Sequence, residues 1–555
     1  MSVRRAPRAA DALVATLAAN GVRTVFALSG NQIMSVFDAL VEAPVDLVHV
    51  RHEAAAVHMA DAFGRLSGAP GVALLTAGPG FANGLAALYT AACAESPLVL
   101  LSGAAPLAER GRGAFQEMRQ AELAAGFAKA SWTVERPEEV ASAVARALRL
   151  AASGRPGPVQ VTLPVDVLED EVDSVRGLVV HAASPNPGAG LERAAHALAR
   201  AERPLLLLGP WTGRGAALAA LREAAGRALL PLAVLDSPRG LADPRLGLLP
   251  ELLGEVDLLL LVGRRLDFAL RFGRCPPLAP TGRVIAIDPE REPLEDARRK
   301  LGERLLAGLR AGPERAAEAL AAGAPGPERR SERALWLERV ESALRWRPPD
   351  WAERRGAADG PCHPLDIARA LRPVLARDPR VVLLLDGGEF GQWARAALEA
   401  PRLLGNGPSG AIGGILPMAL AARLVEPEAP VIALMGDGTA GFHIAELDTA
   451  VRYRLPFLAV VGNDARWNAE QQIQRRLYGP DRLIGCDLLP TRYDRVAEGF
   501  AAFGERVERP AELAPALERA LAAGRPALLD VAIEPAAAPL LRSTASAAVA
   551  IDTHG

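Results

Sequence analysis

The hydrophobic pattern of the chain alternates short apolar runs with longer segments of helical periodicity. In the N-terminal part the runs are "TVFAL", "VDLVHV", "GVALLTA", "PLVLLSG" and "PVQVTL". Apolar runs of this length that alternate with helical segments are typical of parallel strands covered on both faces. The pattern therefore predicts an α/β domain over residues 1–172.

Two further parts of the chain repeat this alternation. The runs "RPLLLLG", "LPLAVLD", "VDLLLLVG" and "RVIAIDP" fall in residues 186–322, and "RVVLLLDGG", "APVIALMGDG", "LPFLAVVGND" and "RPALLDVAI" fall in residues 361–540. Residues 323–360 mix a charged helical stretch with proline and glycine, which indicates a linker. The alanine-rich residues 541–555 are expected to form a tail. The fold class is thus α/β, with three consecutive doubly wound parallel-sheet domains.

Composition and charge narrow the class of ligand. The 555 residues suit several domains. The 63 basic and 65 acidic residues leave a net charge of −2, which favours neither nucleic acid nor an anionic membrane as partner. No segment has the ~18 uninterrupted apolar residues of a membrane span, and the four cysteines form no C-x-x-C pair. We expect a cytoplasmic protein that acts on a small molecule.

Two acids end apolar runs in the third part of the chain. Asp437 and Asp464 each follow a predicted strand of one βαβ unit, so both should emerge at the carboxyl edge of the sheet. Beside Gly436 and Gly438, two such carboxylates suit a Mg²⁺ ion that carries a diphosphate, and a helix beginning near Gly441 would favour anions. The alternative is that "GDG" and "ND" are only turns.

The motif "GDG", then 24 residues, then "ND" resembles the cofactor motif of thiamine-diphosphate enzymes, which begins with GDG and ends in NN or a variant. The resemblance implies that Asp437, Asp464 and the main-chain carbonyl of Arg466 hold Mg²⁺. Because this chain has Asp at 464, a register slip of one would make Asn463 the ligand instead. The same motif supplies Gly436, Gly438 and Thr439 as cofactor-binding residues.

A glutamate in the first part of the chain fits the same family. Glu53 follows a predicted strand and begins a helix in "VDLVHVRHEAAAVHMADAFGRLSG". Taken alone, Glu53 is an acid that favours the helix dipole. The resemblance implies instead a catalytic glutamate that hydrogen-bonds the aminopyrimidine ring of the cofactor and stabilises its imino tautomer. In this family the glutamate comes from the neighbouring subunit, which implies a homodimer or homotetramer.

Other segments extend the resemblance over the whole chain. In "GPSGAIGGILPMALAA", Ile412 occupies the position of the apolar residue that wedges between the two cofactor rings, although most isoleucines are ordinary core residues. In "DGGEFGQW", which follows a predicted strand, Gly387, Gly388 and Gln392 are weaker candidates for a diphosphate-binding loop. The three parts of the chain then correspond to a pyrimidine-binding, a central and a diphosphate-binding domain.

The resemblance is closest to the acetolactate synthase large-subunit group, with its 2-hydroxyacyl-CoA lyase and oxalyl-CoA decarboxylase relatives. In "GAFQEM", Phe115 and Gln116 occupy positions that face the substrate in acetolactate synthase. His52 and His443 are either acid–base groups or structural residues, because catalysis requires hydrogen-bond reach.

The central part of the chain leaves its ligand open. Asp288 ends the run "RVIAIDP", where an acid can meet a nucleotide ribose. The segment that contacts flavin in acetolactate synthase is shortened here, which argues against FAD. ADP or CoA, or a scaffold without a ligand, stay as alternatives.

The function predicted from these features is a Mg²⁺- and thiamine-diphosphate-dependent decarboxylation of a 2-oxo acid, followed by carboligation of the enamine to a second carbonyl. An alternative keeps the cofactor but cleaves or forms a C–C bond in an acyl-CoA thioester. A more distant alternative is a non-catalytic homologue that binds a nucleotide or a partner, against which the intact Glu53 and Asp437 weigh. The sequence names neither donor nor acceptor.

Overall fold

A computed structural model describes residues 6–179 and 190–541. The described chain forms two compact units, the first within residues 1–183, 356–391 and 399–536, and the second within residues 184–355, 392–398 and 537–555. The first unit contains two six-stranded sheets and the second a five-stranded sheet. The prediction of three parallel α/β sheets is thereby confirmed. The predicted tail lies outside the described residues, apart from Leu541.

The first sheet is parallel throughout, with the strand order β2-β1-β3-β4-β6-β5. Its strands are β1 (Thr24–Ala27), β2 (Asp46–His49), β3 (Gly71–Leu75), β4 (Leu98–Ala104), β5 (Ala130–Thr133) and β6 (Pro158–Pro164). Its helices are α1 (Ala9–Ala19), α2 (Met34–Leu40), α3 (Glu53–Ser67), α4 (Pro79–Cys93), α5 (Gln120–Ala124), α6 (Val140–Ala152) and α7 (Val165–Glu169).

The second sheet is also parallel, with the order β11-β10-β9-β7-β8. Its strands are β7 (Pro204–Leu208), β8 (Leu232–Val234), β9 (Leu258–Val262), β10 (Arg283–Asp288) and β11 (Leu305–Arg310). Its helices are α8 (Leu191–Arg200), α9 (Gly215–Arg227), α10 (Leu249–Leu252), α11 (Arg291–Leu301), α12 (Pro313–Ala322) and α13 (Pro327–Arg345).

The third sheet has the order β13-β12-β14-β15-β17-β16, which repeats the order of the first. Its strands are β12 (Val382–Leu385), β13 (Arg402–Gly405), β14 (Val431–Gly436), β15 (Leu458–Asn463), β16 (Phe503–Val507) and β17 (Ala527–Ala532). Its helices are α14 (Pro364–Arg377), α15 (Gly388–Ala397), α16 (Ile415–Val425), α17 (Asp437–His443), α18 (Glu446–Arg452), α19 (Asn468–Tyr478), α20 (Tyr493–Gly499) and α21 (Leu513–Ala522).

One apolar core joins the first and third sheets. Helix α3 packs against α16, and Met59 of α3 and Met418 of α16 are both fully buried in the same hydrophobic cluster. Burial of a side chain of this size contributes ~1.5–3 kcal/mol. The helix that begins with Glu53 is therefore held firmly against the helices of the third sheet.

The segment predicted as a linker contains a helix that packs into the second unit. On α13, Trp336 is buried, and its ring N–H donates to the Pro204 carbonyl at 2.8 Å. Arg333 is 1% exposed and donates to the carbonyls of Ala201, Ala228 and Leu198. These three hydrogen bonds give the buried guanidinium its partners, and they fix α13 to the unit.

Among the described residues, none of the helices is long and apolar enough to cross a membrane.

Candidate active site

The carboxyl edge of the third sheet is where the predicted metal ligands lie. Strands β14 and β15 are parallel neighbours, with Gly436 opposite Gly462 at their ends. Helix α17 begins at Asp437 itself, not near Gly441 as the sequence suggested, because the extended backbone of Gly436 leads directly from the strand into the helix. Asp437 therefore stands in the first turn of α17, at its positive end.

A cavity at this edge brings together most of the predicted cofactor and metal residues. Its lining includes the predicted residues Gly387, Gly388, Ile412, Gly436, Asp437, Gly438, Thr439, Asp464 and Arg466. Five predicted residues are not part of the lining: Glu53, Phe115, Gln116, Gln392 and Asn463.

Two acidic side chains dominate the electrostatics of the cavity. Asp437 is 3% exposed, and its Oδ2 has no hydrogen-bond partner within the described chain. Burial raises the pKa of Asp437 to about 6. Burial, and then the charge of Asp437, raise the pKa of Asp464 to about 7. Two neighbouring carboxylates that ionise with difficulty and carry an unsatisfied oxygen form a donor set that fits a divalent cation such as Mg²⁺.

The amide of Asn463 is occupied by other partners. Its Nδ2 donates to the Thr491 carbonyl and to Asp530 Oδ1, both at 2.9 Å, and its Oδ1 accepts from the amide of Ala465 at 3.2 Å. Asp530 is fully buried and also accepts from the amide of Tyr493 at 3.1 Å. Asn463 is thus tied into the protein interior, while Asp464 lines the cavity.

A buried aspartate links the glycine loop of the cavity to Ile412. Asp386 accepts from the amides of Gly387 at 2.7 Å and Gly413 at 3.0 Å, and from Asn406 Nδ2 at 2.8 Å. Burial nevertheless raises the pKa of Asp386 to about 6. A Cβ built on Gly387 would lie 2.9 Å from Ile412 Cγ2. These contacts hold Ile412 against the loop, and the role of Asp386 was not predicted from the sequence.

Trp467 also lines the cavity without having been predicted. A Cβ built on Gly438 would lie 2.7 Å from the indole of Trp467, so the glycine of the GDG motif allows the ring to pack on the backbone. The ring of Phe442 meets this indole edge-on, with centroids 6.3 Å apart. The sequence does show a tryptophan three positions after the motif. Whether its side chain faces the cavity depends on the turn that precedes α19, which the sequence pattern does not determine.

The predicted glutamate begins a helix as expected but does not reach this cavity. Glu53 is the first residue of α3, and its Oε2 accepts from Asn83 Nδ2 at 3.0 Å. Phe115 is 72% exposed, and Gln116 has a positive φ of 60°. The chain therefore presents Glu53 and the two predicted substrate residues on the first sheet, apart from its own cavity.

The two predicted histidines meet a third that sequence reasoning missed. The ring centroid of His443 lies 5.7 Å from that of His52 and 5.6 Å from that of His58. His443 Nδ1 lies 2.8 Å from the Gly413 carbonyl, and His52 Nδ1 accepts from the amide of Ala54 as a helix cap. Burial lowers the pKa of His443, and it lowers that of His58 to about 3. His443 and His58 are therefore neutral near pH 7.

Comparison with known protein families identifies the class. The model of the N-terminal thiamine pyrophosphate (thiamine diphosphate) binding domain matches residues 7–123, and the model of the C-terminal thiamine pyrophosphate binding domain matches residues 386–531. The first match contains Glu53, and the second contains all the predicted residues that line the cavity.

Individual relatives narrow the group. The chain is 35% identical to the acetolactate synthase large subunit of Mycobacterium tuberculosis, over 95% of this chain and 96% of the relative. It is 31% identical to human 2-hydroxyacyl-CoA lyase 2, over 90% and 85%, and 30% identical to the acetolactate synthase large subunit of Parasynechococcus marenigrum, over 94% and 87%. The chain belongs to the thiamine-diphosphate-dependent enzymes of the acetolactate synthase and 2-hydroxyacyl-CoA lyase family.

Proposed function

We propose that the protein decarboxylates a 2-oxo acid and joins the remaining acyl unit to a second carbonyl compound, in the manner of an acetolactate synthase. The observation that carries the proposal is the pair of carboxylates at the ends of adjacent strands, the buried Asp437 and the half-buried Asp464. Thiamine diphosphate, when bound, supplies a nucleophilic carbon and an electron sink, while the protein contributes binding, orientation and electrostatics.

The carboxylates would hold Mg²⁺ together with the main-chain carbonyl of Arg466. The hydrogen bonds of Asn463 to Thr491 and Asp530 support Asp464 as the ligand of the two candidates. The part of the chain that the structure describes contains no group of three or more His, Cys, Asp or Glu side chains suited to a metal. Diphosphate oxygens would complete the coordination, as is usual for Mg²⁺.

The remaining cavity residues would hold the organic part of the cofactor. We assign the diphosphate to Gly387, Gly388, Gly436, Gly438 and Thr439, with a weaker assignment for Gln392, which is buried in α15. Ile412 would wedge between the two rings, and its contact with the glycine loop supports that position.

Glu53 would act as the catalytic glutamate in the cavity of a second copy of the chain. The support is that Glu53 does not line the cavity of its own chain. Large apolar side chains are exposed on helices and loops of the first unit, such as Tyr89, Phe115, Ile473 and Leu477, and they are of the kind that subunit contacts bury. We therefore propose a homodimer or homotetramer, in which Phe115 and Gln116 approach the substrate from the neighbouring subunit.

The test of this function is CO₂ release and product analysis with thiamine diphosphate, Mg²⁺ and a panel of 2-oxo acids, with and without aldehyde acceptors. We expect release that depends on the cofactor and is lost in Glu53→Gln. Products longer than the donor would identify carboligation. Cofactor binding without release from any 2-oxo acid would contradict the proposal.

A second candidate is C–C bond cleavage or formation in an acyl-CoA thioester. The similarity to human 2-hydroxyacyl-CoA lyase 2 over 90% of this chain favours it. The assay is aldehyde release from a 2-hydroxyacyl-CoA under the same conditions. If this reaction is the true one, the CoA ester is cleaved while 2-oxo acids are inert. The nucleotide portion would be sought at the carboxyl edge of the second sheet, where Asp288 ends β10, and ADP is the simplest probe of that edge.

A further inference from the structure

The segment that precedes Glu53 is held by side chains of helix α18, which lies between strands β14 and β15 in the chain, and of the residue after it. Strand β2 ends at His49, residues 50–52 connect it to α3, and Glu53 is the first residue of that helix. The backbone amides of Arg51 and His52 both donate to Glu446 Oε1, at 3.0 and 3.1 Å. Since two donors share one carboxylate oxygen, the position of both amides depends on a single side chain.

Glu446 is itself buried and oriented. It is 1% exposed, and its second oxygen accepts from the Thr449 hydroxyl at 2.6 Å. Burial raises its pKa, whereas the hydrogen bonds from Thr449 and from the amides of Arg51 and His52 lower it. A buried carboxylate costs free energy unless it is hydrogen-bonded, and here its partners are provided by the loop before Glu53.

Two further contacts complete the hold on this segment. The amide of His49 donates to the Tyr453 hydroxyl at 2.7 Å, and the His49 carbonyl accepts from Arg452 Nη2 at 2.7 Å. Helix α18 and the residue after it thus contact four backbone groups within residues 49–52. We call Glu446, Arg452 and Tyr453 together the α18 clamp.

We propose that Glu446 is a positioning residue for the catalytic glutamate: through the α18 clamp it fixes the loop that sets the place and direction of Glu53. This inference rests on the proposed function, because it gives Glu53 the role of the group that contacts the cofactor ring. Glu446 is not part of the cavity lining, and among the described residues its hydrogen bonds go to Arg51, His52 and Thr449.

The variants for the test are Glu446→Ala, Glu446→Gln and a matched control. Asp366→Ala is the control, because Asp366 is also a buried carboxylate of the first unit that accepts two backbone amides, those of Gly356 and His363, at 2.8 and 2.9 Å. It removes the same kind of interaction without touching residues 49–53.

The first readout is amide hydrogen exchange in the cofactor-free protein, which does not depend on catalysis. In Glu446→Ala we expect exchange of residues 49–53 to rise at least about tenfold, since two charge-assisted hydrogen bonds are lost. In Glu446→Gln, which keeps an acceptor oxygen without the charge, the rise should be smaller but measurable. Asp366→Ala should leave residues 49–53 protected as in the wild type.

The second readout is the state of the bound cofactor. We expect thiamine diphosphate affinity to change little, because the cavity residues are intact. The exchange of the cofactor C2 proton should slow by ~10²-fold in Glu446→Ala, as expected for a misplaced catalytic group. The near-ultraviolet circular dichroism of the imino tautomer should weaken in parallel, with Glu446→Gln between alanine and wild type.

The outcomes separate this inference from the function it rests on. If Glu53→Gln leaves the C2 proton exchange unchanged, the role of Glu53 is wrong, and the proposed mechanism fails with it. If Glu53→Gln slows the exchange while both Glu446 variants match Asp366→Ala, the inference about Glu446 is overturned alone. Should Glu446→Ala not fold, wild-type protection of residues 49–53 in Glu446→Gln would overturn it equally.

Discussion

The first and third sheets share one strand order, yet their carboxyl edges differ in chemistry. After β2 the chain places Glu53, which pairs with Asn83 at 3.0 Å. After β14 and β15 it places two carboxylates, of which Asp437 keeps an oxygen without a partner among the described residues. The shared topology determines where side chains can converge, and the side chains alone decide between proton chemistry and cation binding. The two edges should therefore respond to mutation in different ways.

The largest effects on turnover and on cofactor binding should come from mutating one residue at each of these two edges. Glu53→Gln should lower turnover ~10²–10⁴-fold while cofactor binding is kept, because it removes an acid–base group. Asp437→Ala should weaken Mg²⁺-dependent cofactor binding by at least about 100-fold. The reason is that loss of a direct metal ligand should cost more than the ~10–100-fold lost when a residue that only supports a ligand is changed. Titration calorimetry and steady-state kinetics on both variants measure this split.

Mixing the two variants sharpens the comparison further. If Glu53 serves the neighbouring subunit, a mixed dimer contains one site with both Glu53 and Asp437 intact, and subunit exchange should restore up to about a quarter of wild-type activity. The mixture of wild type with Glu53→Gln is the control for dilution. Failure to recover activity after demonstrated subunit exchange would indicate that each chain builds its site alone.

The free energy of unfolding should depend on pH through His58, which lies in the contact between the first and third sheets. Burial lowers the pKa of His58 to about 3, so the unfolded chain binds this proton more tightly than the folded one. Above pH 6.5, where His58 is neutral in both states, its protonation does not reduce the free energy of unfolding. As the pH falls from 6.5 towards 3, the unfolded chain takes up the proton, and the free energy of unfolding decreases by up to about 4 kcal/mol. Its Nδ1 has no hydrogen-bond partner among the described residues, so His58→Leu should remove this dependence.

Chemical denaturation of wild type and His58→Leu at several pH values checks the effect. As the pH falls, the free energy of unfolding should decrease more in the wild type than in His58→Leu. His443→Gln is a suitable comparison, since its ring lies 5.6 Å from His58 and bonds the Gly413 carbonyl. Equal acid sensitivity of wild type and His58→Leu would show that other groups dominate.

Mutations at the adjacent residues Asn463 and Asp464 should affect different properties: stability at Asn463 and Mg²⁺ binding at Asp464. Asn463→Ala should lower the free energy of unfolding by ~1–3 kcal/mol, because Asp530 and the Thr491 carbonyl lose a buried donor. Asp464→Asn keeps an oxygen ligand, and we expect Mg²⁺ affinity to stay within about tenfold. Thermal unfolding and Mg²⁺ titration distinguish the two. Strong loss of metal binding in a folded Asn463→Ala would reverse the assignment.

The strands that sequence reasoning found and missed differ in their place in the sheet. All interior strands appear as continuous apolar runs, whereas β5, β11, β13 and β16 were not predicted, and each lies at an edge. Their burial is partial: no residue of β5 is fully buried, and only the last of β16 is. An edge strand covers one neighbour only, so its sequence carries a weaker apolar signal.

The residues of the candidate site also fall into those that the sequence could predict and those that it could not. Asp437 and Asp464 could be predicted because an acid directly after a buried strand must emerge at the sheet edge. Glu446 and His58 could not, because their importance comes from contacts with residues about 395 and 385 positions away in the chain, such as His52 and His443. A buried polar residue in a helix looks the same in sequence whatever it contacts.

The smallest effect should come from the side chain of Arg51, whose backbone helix α18 holds. Its guanidinium lies 3.7 Å from Asp448 and is 55% exposed, and exposed ion pairs of this kind contribute ~0–1 kcal/mol. Arg51→Ala keeps the amide that donates to Glu446, so stability and turnover should stay near wild type, as urea denaturation and kinetics would report. A large loss of turnover would mean that the Arg51 side chain, and not only its backbone, serves the site.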